Sequence, residues 1–309
     1  MSVLITGTEG FVGKHLAEMF RADKQDILAP TRAEIDLTND LAVEAYFKRN
    51  PIEAIIHCAT TLRTGTSYPP NTCENNLRMF FTLQRQLTPG MKLINLGSGS
   101  EYCRRYWHRK MTEEFFDTHV PEDGHSYAKY LISKFIRASN DERMVSLRLF
   151  GIFGQYEDYR YKFISNSVVK NLLGMPIVIN QNVVYDYLYI SDFYRIVEHF
   201  VRHPARFREY NVTPTSSIDL ETIATLINRS SDVQSEIVIL NPGVGVEYSG
   251  ENSRLLAEMG NLQFTPPETA IAELRHYYGG IRESLDVEAL RQDAFLEYAK
   301  SLHKEYFKR

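Results

Sequence analysis

The chain has 309 residues, enough for a large buried core and about two domains. Its formal net charge of -4 gives no electrostatic argument for binding nucleic acid or an anionic membrane. No uninterrupted apolar run approaches membrane-spanning length and no leader precedes the first apolar run, so we expect a cytoplasmic protein that does not bind a membrane.

The first predicted elements are a strand, a glycine turn and a helix. Residues 2–6 are mostly apolar, and residues 11–22 carry apolar side chains at helical spacing. Between them, Gly7 lets the chain turn off the strand, Gly10 removes a side chain where a diphosphate would approach, and Gly13 lets the helix pack close to the strand. The free N–H groups of the helix start would face that diphosphate. We therefore predict a dinucleotide site that includes Gly7, Gly10, Phe11, Val12 and Gly13.

Strands and helices alternate through the rest of the first half. Most of the short aliphatic runs are apolar on both faces, as in a parallel sheet that is covered by helices on both sides. The predicted strands are 2–6, 25–29, 53–58, 91–97 and 144–150, and the predicted helices are 11–22, 39–48, 75–88 and 124–140. This order predicts an α/β fold of the Rossmann type, a doubly wound parallel sheet whose functional loops lie along one edge.

The regular alternation ends near residue 154 and a Tyr-rich loop follows. Beyond it the pattern predicts helices at 163–173, 191–202, 218–229 and 252–258, short strands at 176–179 and 183–189, and one long amphipathic helix from about 284. We expect residues 1–155, with 183–213 returning to them, to form the dinucleotide-binding domain. Residues 156–182 and 214–309 would then form a smaller C-terminal substrate-binding domain.

Tyr130 and Lys134 lie four residues apart in a predicted helix, and hence on one face of it. A nearby cation would lower the pKa of the phenol from about 10 towards neutral, so that the hydroxyl could exchange a proton with a sugar alcohol or ketone. Ser98, at the end of the predicted strand 91–97, could hydrogen-bond the same oxygen. The alternatives are a tyrosine packed on a helix and a Ser/Gly-rich turn. The same spacing recurs at Tyr106 and Lys110, but in a charge-dense stretch without helical apolar spacing.

These segments together resemble the extended short-chain dehydrogenases/reductases of the nucleotide-sugar epimerase/dehydratase type, including GDP-fucose-synthase-like members. The resemblance rests on TGxxGFxG at 6–13, YxxSK at 130–134, and the segments at 148–154 and 185–192. It implies NADP or NAD as cofactor, a nucleotide-sugar substrate and a homodimer. By the same resemblance the catalytic triad is Ser98, Tyr130 and Lys134, the cofactor contacts include Ala59 and Asn76, and the substrate contacts are Ser98, Ser100, Asn166 and Tyr185. A dimer interface on the helices near 75–88 and 124–140 would use Met79, Phe80, Phe81 and Leu83.

Departures from the family pattern reduce the number of reactions that the chain is expected to catalyse. Sugar 4,6-dehydratases carry Asp-Glu after the hydroxyl residue of the triad, where this chain has Gly99 and Ser100. Ser100 also stands where the fucose-synthase-like members use a cysteine for epimerisation. Reduction of a 4-keto sugar and 4-epimerisation through a transient ketone both remain open, and a non-catalytic dinucleotide-binding regulator is the alternative of another class.

The second predicted strand ends without the acid that usually binds the adenosine ribose of NAD. Arg32 follows it instead and favours the 2′-phosphate of NADP, unless this arginine is only an exposed loop charge. Asp36 and Leu37 could contact adenine. Tyr185 replaces the family arginine that contacts the substrate diphosphate, and this charge could come from Lys170, Arg160 or Arg254.

The cysteines are the remaining candidates for metal or disulfide chemistry. Cys58, Cys73 and Cys103 are odd in number and have neither CxxC spacing nor a nearby histidine pair. We expect reduced thiols and no structural metal.

Overall fold

The computed structural model describes residues 2–63 and 67–302. Its strands are β1 (Ser2–Thr6), β2 (Asp26–Leu28), β3 (Ala54–His57), β4 (Lys92–Ser98), β5 (Met144–Leu149), β6 (Gly151–Phe153), β7 (Ile177–Asn182), β8 (Val184–Tyr185), β9 (Tyr187–Tyr189), β10 (Glu209–Val212), β11 (Ile218–Asp219) and β12 (Ile237–Val244). Its α-helices are α1 (Phe11–Ala22), α2 (Asp40–Arg49), α3 (Thr72–Gln84), α4 (Gly124–Ser139), α5 (Phe163–Leu172), α6 (Ile190–Arg202), α7 (Leu220–Arg229), α8 (Ser253–Met259), α9 (Pro267–Gly280), α10 (Val287–Gln292) and α11 (Ala294–Leu302).

The central sheet is parallel throughout, with the strand order β10-β5-β4-β3-β1-β2. The chain passes from β1 to β2 on one side and then crosses back to place β3 on the other side of β1. In such a sheet this reversal opens a crevice at the carboxyl ends of β1 and β3, where ligands bind. The predicted α/β class, a Rossmann-type doubly wound sheet, is confirmed.

Alternate residues of the strands enter two separate apolar layers, one on each face of the sheet. In β1, Val3 and Ile5 belong to the larger core cluster, with Leu16 of α1 and Phe193 of α6, whereas Leu4 belongs to the other cluster. Phe80 and Leu83 of α3 and Ile132 and Ile136 of α4 fill that second cluster.

The predicted strands and helices of the first half are confirmed, although α3 begins at Thr72, earlier than expected. The predicted strand 183–189 is interrupted at Asp186, because this buried carboxylate accepts hydrogen bonds from Lys110, Thr213 and Ser217. Two other segments of the chain, one with Lys110 and one with Thr213 and Ser217, thus meet at the buried carboxylate of Asp186.

The prediction of one long helix from about 284 is wrong for the described part of that segment, and its last residues, 303–309, lie outside the described residues. The helical residues divide into α10 and α11 at Asp293, which adopts a left-handed conformation with φ of 49°. Its carboxylate lies 2.7 Å from the Nζ of the buried Lys170. The sequence analysis also missed α9, a helix that has proline in its first turn.

Candidate active site

The glycine turn between β1 and α1 is shaped by close backbone approaches. A Cβ on Gly7, which has φ of +70°, would lie 2.7 Å from the backbone nitrogen of Ala59, and a Cβ on Gly13 would lie 2.3 Å from the carbonyl oxygen of Gly7. At Gly10 the nearest atom, also the Gly7 oxygen, would be 3.4 Å away, so the space above this residue is open. No side chain of the described residues caps the start of α1, and its first turn carries no acidic residue. These features fit an anionic diphosphate lying against the backbone.

The loop after β3 completes this crevice. The Oγ1 of Thr6 contacts the Nδ1 of His57 at 3.0 Å and accepts a bond from the Ala59 nitrogen at 3.2 Å. Asn76 of α3 is buried, and its Oδ1 accepts a bond from the Thr61 nitrogen at 2.8 Å. Its Nδ2 is also buried and has no hydrogen-bond partner within residues 2–63 and 67–302. This amide group is therefore an available donor on the cofactor side of the crevice.

The residues predicted to choose the cofactor lie beyond β2. Arg32 is exposed, and its backbone nitrogen donates to Glu9 of the glycine turn at 2.9 Å. The carboxylate of Asp36 accepts bonds from the backbone and hydroxyl groups of Thr38, which lower the pKa of Asp36. Leu37 is buried in the second core cluster. The structure thus leaves Arg32 at the open end of the crevice and uses Leu37 for packing.

Ser98 and Ser100 come together where β4 ends in a short 3₁₀ turn. Their Oγ atoms are 2.9 Å apart, and the hydroxyl of Tyr248 lies so close that a Cβ on Gly99 would be 2.5 Å from it. Glu101 accepts a bond from the Ser98 nitrogen at 2.7 Å and forms a fully buried ion pair with Arg148 at 2.8 Å. Ser98 is half-buried and Ser100 is buried, whereas the adjacent carboxylate forms an ion pair inside the fold.

Tyr130 and Lys134 are neighbours in α4, with 3.1 Å between the phenol oxygen and Nζ. The Tyr130 hydroxyl donates to Asp117, and Lys134 contacts the same carboxylate at 2.8 Å. Burial and this carboxylate raise the pKa of Tyr130, so the predicted lowering is wrong. The reason is that the cation is shared with an anion to which the phenol donates its proton. The side chain of Lys134 is 49% exposed.

A different face of α4 carries a second pair at the same spacing, His125 and Lys129, which the sequence analysis missed. Lys129 is 7% exposed, and its Nζ donates to the carbonyl oxygen of Leu96 in β4 at 2.6 Å. The ring of His125 is stacked on Tyr68, with 4.5 Å between the centroids. Burial, and then the charge of Lys129, lower the pKa of His125 to about 3. The signal was present as His-x-x-x-Lys at residues 125–129.

Lys129 also influences the groups at the end of β3. Burial and then the charge of Lys129 lower the pKa of His57 to about 3. Burial raises the pKa of Cys58 to about 12, against the opposing effect of the same ammonium group. The Cys58 thiol is therefore protonated near neutral pH. These interactions place Lys129 on the same side of the sheet edge as the crevice between β1 and β3.

Two arginines lie among aromatic side chains, one of which, Tyr68, is also stacked on His125. The guanidinium of Arg63 lies over the rings of Tyr68 and Tyr298, and its Nη2 is 2.6 Å from the Tyr298 hydroxyl. Arg104 lies over Trp107 at 5.0 Å, and its charge also acts on Tyr185, whose pKa is raised by burial. This group combines positive charge with aromatic faces.

The other predicted charges are bound to carboxylates. Lys170 contacts Asp293 at 2.7 Å, Arg160 contacts Asp158 at 2.8 Å, and Arg254 contacts Glu114 at 2.6 Å. Each of these cations already has a counter-ion. The predicted substrate contact Asn166 is buried, and its Nδ2 donates to the carbonyl oxygen of Tyr159 at 2.9 Å.

The alternative pair Tyr106 and Lys110 is not brought together on a helix. Tyr106 ends a short 3₁₀ segment and is stacked on His119, whereas Lys110 forms an ion pair with the buried Asp186 at 3.1 Å. In the part of the chain that the structure describes, no cluster of three or more His, Cys, Asp or Glu side chains could hold a metal ion, and no helix is long and apolar enough to cross a membrane.

Known proteins share this architecture. A model of the NAD dependent epimerase/dehydratase family matches residues 3–213. An ADP-L-glycero-D-manno-heptose-6-epimerase from Pseudomonas aeruginosa is 22% identical, over 98% of this chain and 96% of its own. A dTDP-4-keto-6-deoxy-D-glucose reductase from Streptomyces niveus is 34% identical, over 20% of this chain and 22% of its own. A GDP-mannoheptose C4 reductase from Campylobacter jejuni, solved with NADP bound, superposes with a TM-score of 0.78 at 14% identity, over 90% of this chain and 98% of that one. At this identity the structural likeness shows the fold alone.

Proposed function

This chain belongs to the NAD dependent epimerase/dehydratase family, and we propose that it transfers hydride to or from a carbon of a nucleotide-activated sugar. The observation that carries the proposal is that three features lie at one edge of the sheet: the open glycine turn after β1, the Asn76 Nδ2 that has no hydrogen-bond partner among the described residues, and the hydroxyl of Ser98. The first two suit a dinucleotide, and the serine suits a reacting sugar oxygen. Relatives with this architecture are named as nucleotide-sugar epimerases and reductases.

Reduction of a 4-keto sugar is the leading reaction, and 4-epimerisation through a transient ketone is the second. Dehydration requires a carboxylate beside Ser98, but Gly99 and Ser100 follow it, and the next acid, Glu101, is paired with Arg148 inside the fold. The reduction needs a hydride donor and a proton donor for the sugar oxygen. Ser98 would hydrogen-bond this oxygen, and Tyr130 with Lys134 is the proton-transfer pair that the sequence predicts. The bond from Tyr130 to Asp117 counts against that pair.

We propose the cofactor-binding residues from their positions around the crevice at the carboxyl ends of β1 and β3. Gly7, Gly10, Phe11, Val12 and Gly13 would hold the diphosphate, and Ala59 and Asn76 would line the nicotinamide side. Arg32 favours NADP because it is exposed at the end of β2 and carries the charge that a 2′-phosphate needs. A bound reduced nicotinamide would supply the hydride.

The substrate is proposed to be anionic because of two arginines. Arg63 and Arg104 lie among aromatic rings, a combination that suits a diphosphate next to a nucleobase or a sugar. They supply the charge that is lost where Tyr185 replaces the family arginine. Arg160, Lys170 and Arg254, which are bound to carboxylates, are the other cations that could take this role.

The experiment is to incubate the protein with NADPH or NADH and a panel of 4-keto nucleotide sugars that includes dTDP-4-keto-6-deoxy-D-glucose. We expect oxidation of NADPH with one reduced sugar formed for each cofactor consumed, at least about tenfold faster than with NADH because of the Arg32 charge. In a parallel incubation of NADP or NAD with a nucleotide sugar that carries a C4 hydroxyl, interconversion of the two C4 epimers without net loss of cofactor would identify an epimerase instead. Cofactor binding without conversion of any sugar would favour a regulator.

We also propose that the protein works as a cytoplasmic homodimer through α3 and α4. The support is a group of half-buried apolar side chains on these helices, among them Phe81 and Phe135, whose ring centroids are 5.0 Å apart. Sedimentation in solution tests the dimer.

A further inference from the structure

We propose that His125 and Lys129, and not Tyr130 and Lys134, hold and move the proton at the reacting sugar oxygen. The inference rests on the proposed hydride transfer. It names the side chains that would transfer the proton in that reaction. The group in contact with the substrate would be the imidazole of His125 instead of the phenol of Tyr130.

The two pairs are on different faces of the same helix. Each pair has the spacing of four residues that puts both members on one face. His125 precedes Tyr130 by five residues, and Lys129 precedes Lys134 by five, which corresponds to a rotation of about 140° around an α-helix. Only one of the two faces can therefore point into the crevice at the ends of β1 and β3.

The contacts of the lysines identify that face. Lys129 reaches the carbonyl oxygen of Leu96 near the carboxyl end of β4, and its charge acts on His57 and Cys58 at the end of β3. Lys134 extends to solvent and to Asp117, a residue that is exposed. The face with Lys129 is thus the one next to the cofactor crevice.

The polar groups of this pair are incompletely bonded. An ammonium group has three donors, and within residues 2–63 and 67–302 the Leu96 oxygen is the one hydrogen-bond acceptor that Lys129 contacts. The Nδ1 of His125 is buried and has no hydrogen-bond partner among those residues. Buried donors and acceptors are normally satisfied, so the unpartnered Nδ1 of His125 and the remaining donors of Lys129 on one helix face indicate a ligand that completes them.

The helix start holds His125 in place. The carboxylate of Asp123 caps α4 by accepting a bond from the Ser126 nitrogen at 2.9 Å, which fixes the first turn. The imidazole is then stacked against Tyr68, over which the guanidinium of Arg63 lies. His125 is therefore positioned between the inner crevice and the arginines proposed to bind the substrate diphosphate.

The proton transfer balances as follows in the direction of reduction. The carbonyl carbon gains a hydride with its two electrons from the reduced nicotinamide, which becomes oxidised. The carbonyl oxygen takes a proton from one ring nitrogen of His125, while the other ring nitrogen takes a proton from Lys129 through a bridging hydroxyl of the bound ligand, because Lys129 and His125 are not hydrogen-bonded to each other. Lys129 then recovers a proton from solvent. Burial lowers the pKa of Lys129, which favours this donation. The imidazole ends the step neutral, as it began.

The test compares His125→Ala, His125→Tyr and Lys129→Met with the matched variants Tyr130→Phe and Lys134→Met on the other face. With dTDP-4-keto-6-deoxy-D-glucose and NADPH, we expect His125→Ala to lose about a hundredfold or more in turnover, and His125→Tyr to retain at least about a tenth of it, because a phenol can donate the same proton. His125→Ala should lose more turnover than Tyr130→Phe, and Lys129→Met should lose more than Lys134→Met.

Two readouts do not depend on turnover. Lys129→Met should weaken NADPH binding at least about tenfold by fluorescence titration, a loss of about 1.4 kcal/mol, whereas Lys134→Met should not. The imidazole resonances of His125 are identified as those that are missing in the spectrum of His125→Ala. Addition of NADP to the unmodified, isotope-labelled protein should shift these resonances. This measurement tests the proposal even if Lys129→Met does not fold.

The inference is overturned if Tyr130→Phe loses turnover and His125→Ala does not, or if NADP leaves the His125 resonances unchanged. Failure of the proposed function has a different signature. In that case the unmodified protein converts none of the sugars, and the cofactor titrations and the resonance shifts still decide whether the His125 face or the Tyr130 face meets the cofactor.

Discussion

Gly10 and Gly13 occupy the same turn for different physical reasons. A Cβ on Gly13 would overlap the Gly7 carbonyl oxygen at 2.3 Å, whereas a Cβ on Gly10 would lie 3.4 Å from that oxygen. The space at Gly10 is the one that we propose an incoming ligand occupies, whereas Gly13 lets α1 pack on β1. Both requirements follow from the missing side chain, but only one of them concerns function.

This difference predicts opposite behaviour of two alanine variants. Gly10→Ala should keep the melting temperature and lose at least about tenfold in NADPH affinity, since the methyl group occupies the space open to a diphosphate. Gly13→Ala should lose about 1–3 kcal/mol of stability from the overlap. Thermal melting and fluorescence titration of both variants measure the two effects. Equal cofactor affinity in Gly10→Ala and the unmodified protein would remove the diphosphate from this turn.

At the scale of single elements, α4 illustrates the limit of a spacing rule. Residues four apart share a helix face, so both His125–Lys129 and Tyr130–Lys134 satisfy the rule. The rule does not state which face turns towards the crevice. That choice depends on Ile132 and Ile136, which enter the core cluster on one side of the sheet and thereby set the rotation of the helix.

The C-terminal helices are a second element whose position depends on a single interaction. Lys170 of α5 is 3% exposed in its side chain and holds Asp293, where α10 ends, at 2.7 Å. The preference for helix on both sides of Asp293 could be read from the sequence, but the break between α10 and α11 arises from this tertiary ion pair and the left-handed backbone of Asp293.

Lys170→Met should therefore loosen α10 and α11. The change leaves a largely buried carboxylate without its cation, which costs about 3–5 kcal/mol when one partner of a buried pair is removed. Hydrogen exchange should become faster in residues 287–302 before it does so in the central sheet. Lys48→Met is the control, since it breaks an exposed pair with Glu44 and should change neither region. Unchanged protection of α11 in Lys170→Met would show that other contacts hold it.

At the scale of the whole molecule, the expected dimer interface needs a correction. Phe80 and Leu83, two of the four residues expected there, are fully buried in the core of the described protein. Phe81 is half-buried and packs against Phe135 of α4 at 5.0 Å. An interface on α3 and α4 would therefore depend on Phe81, Phe135 and Met79.

A charge at this surface should dissociate the dimer. Phe81→Glu should weaken association at least about tenfold, because it places a carboxylate in an apolar contact. Leu41→Glu is the matched control, since Leu41 is 77% exposed on α2, outside the proposed interface. Sedimentation velocity measures both variants. A monomeric unmodified protein, or equal dissociation of the two variants, would contradict the interface on α3 and α4.

The sequence by itself determined the features that depend on local pattern. Apolar runs and glycine spacing fixed the parallel α/β sheet, the site of the turn at Gly7, Gly10 and Gly13, and the strand end at Ser98, because each follows from the preferences of a few neighbouring residues. Only the tertiary structure decided how distant charges meet. It buried Tyr130 and placed Asp117 against it, and these two effects raise the pKa of Tyr130. It also paired Lys170 with Asp293 and turned Lys129 towards β4. These outcomes depend on burial and on partners far away in the chain, which no local pattern specifies.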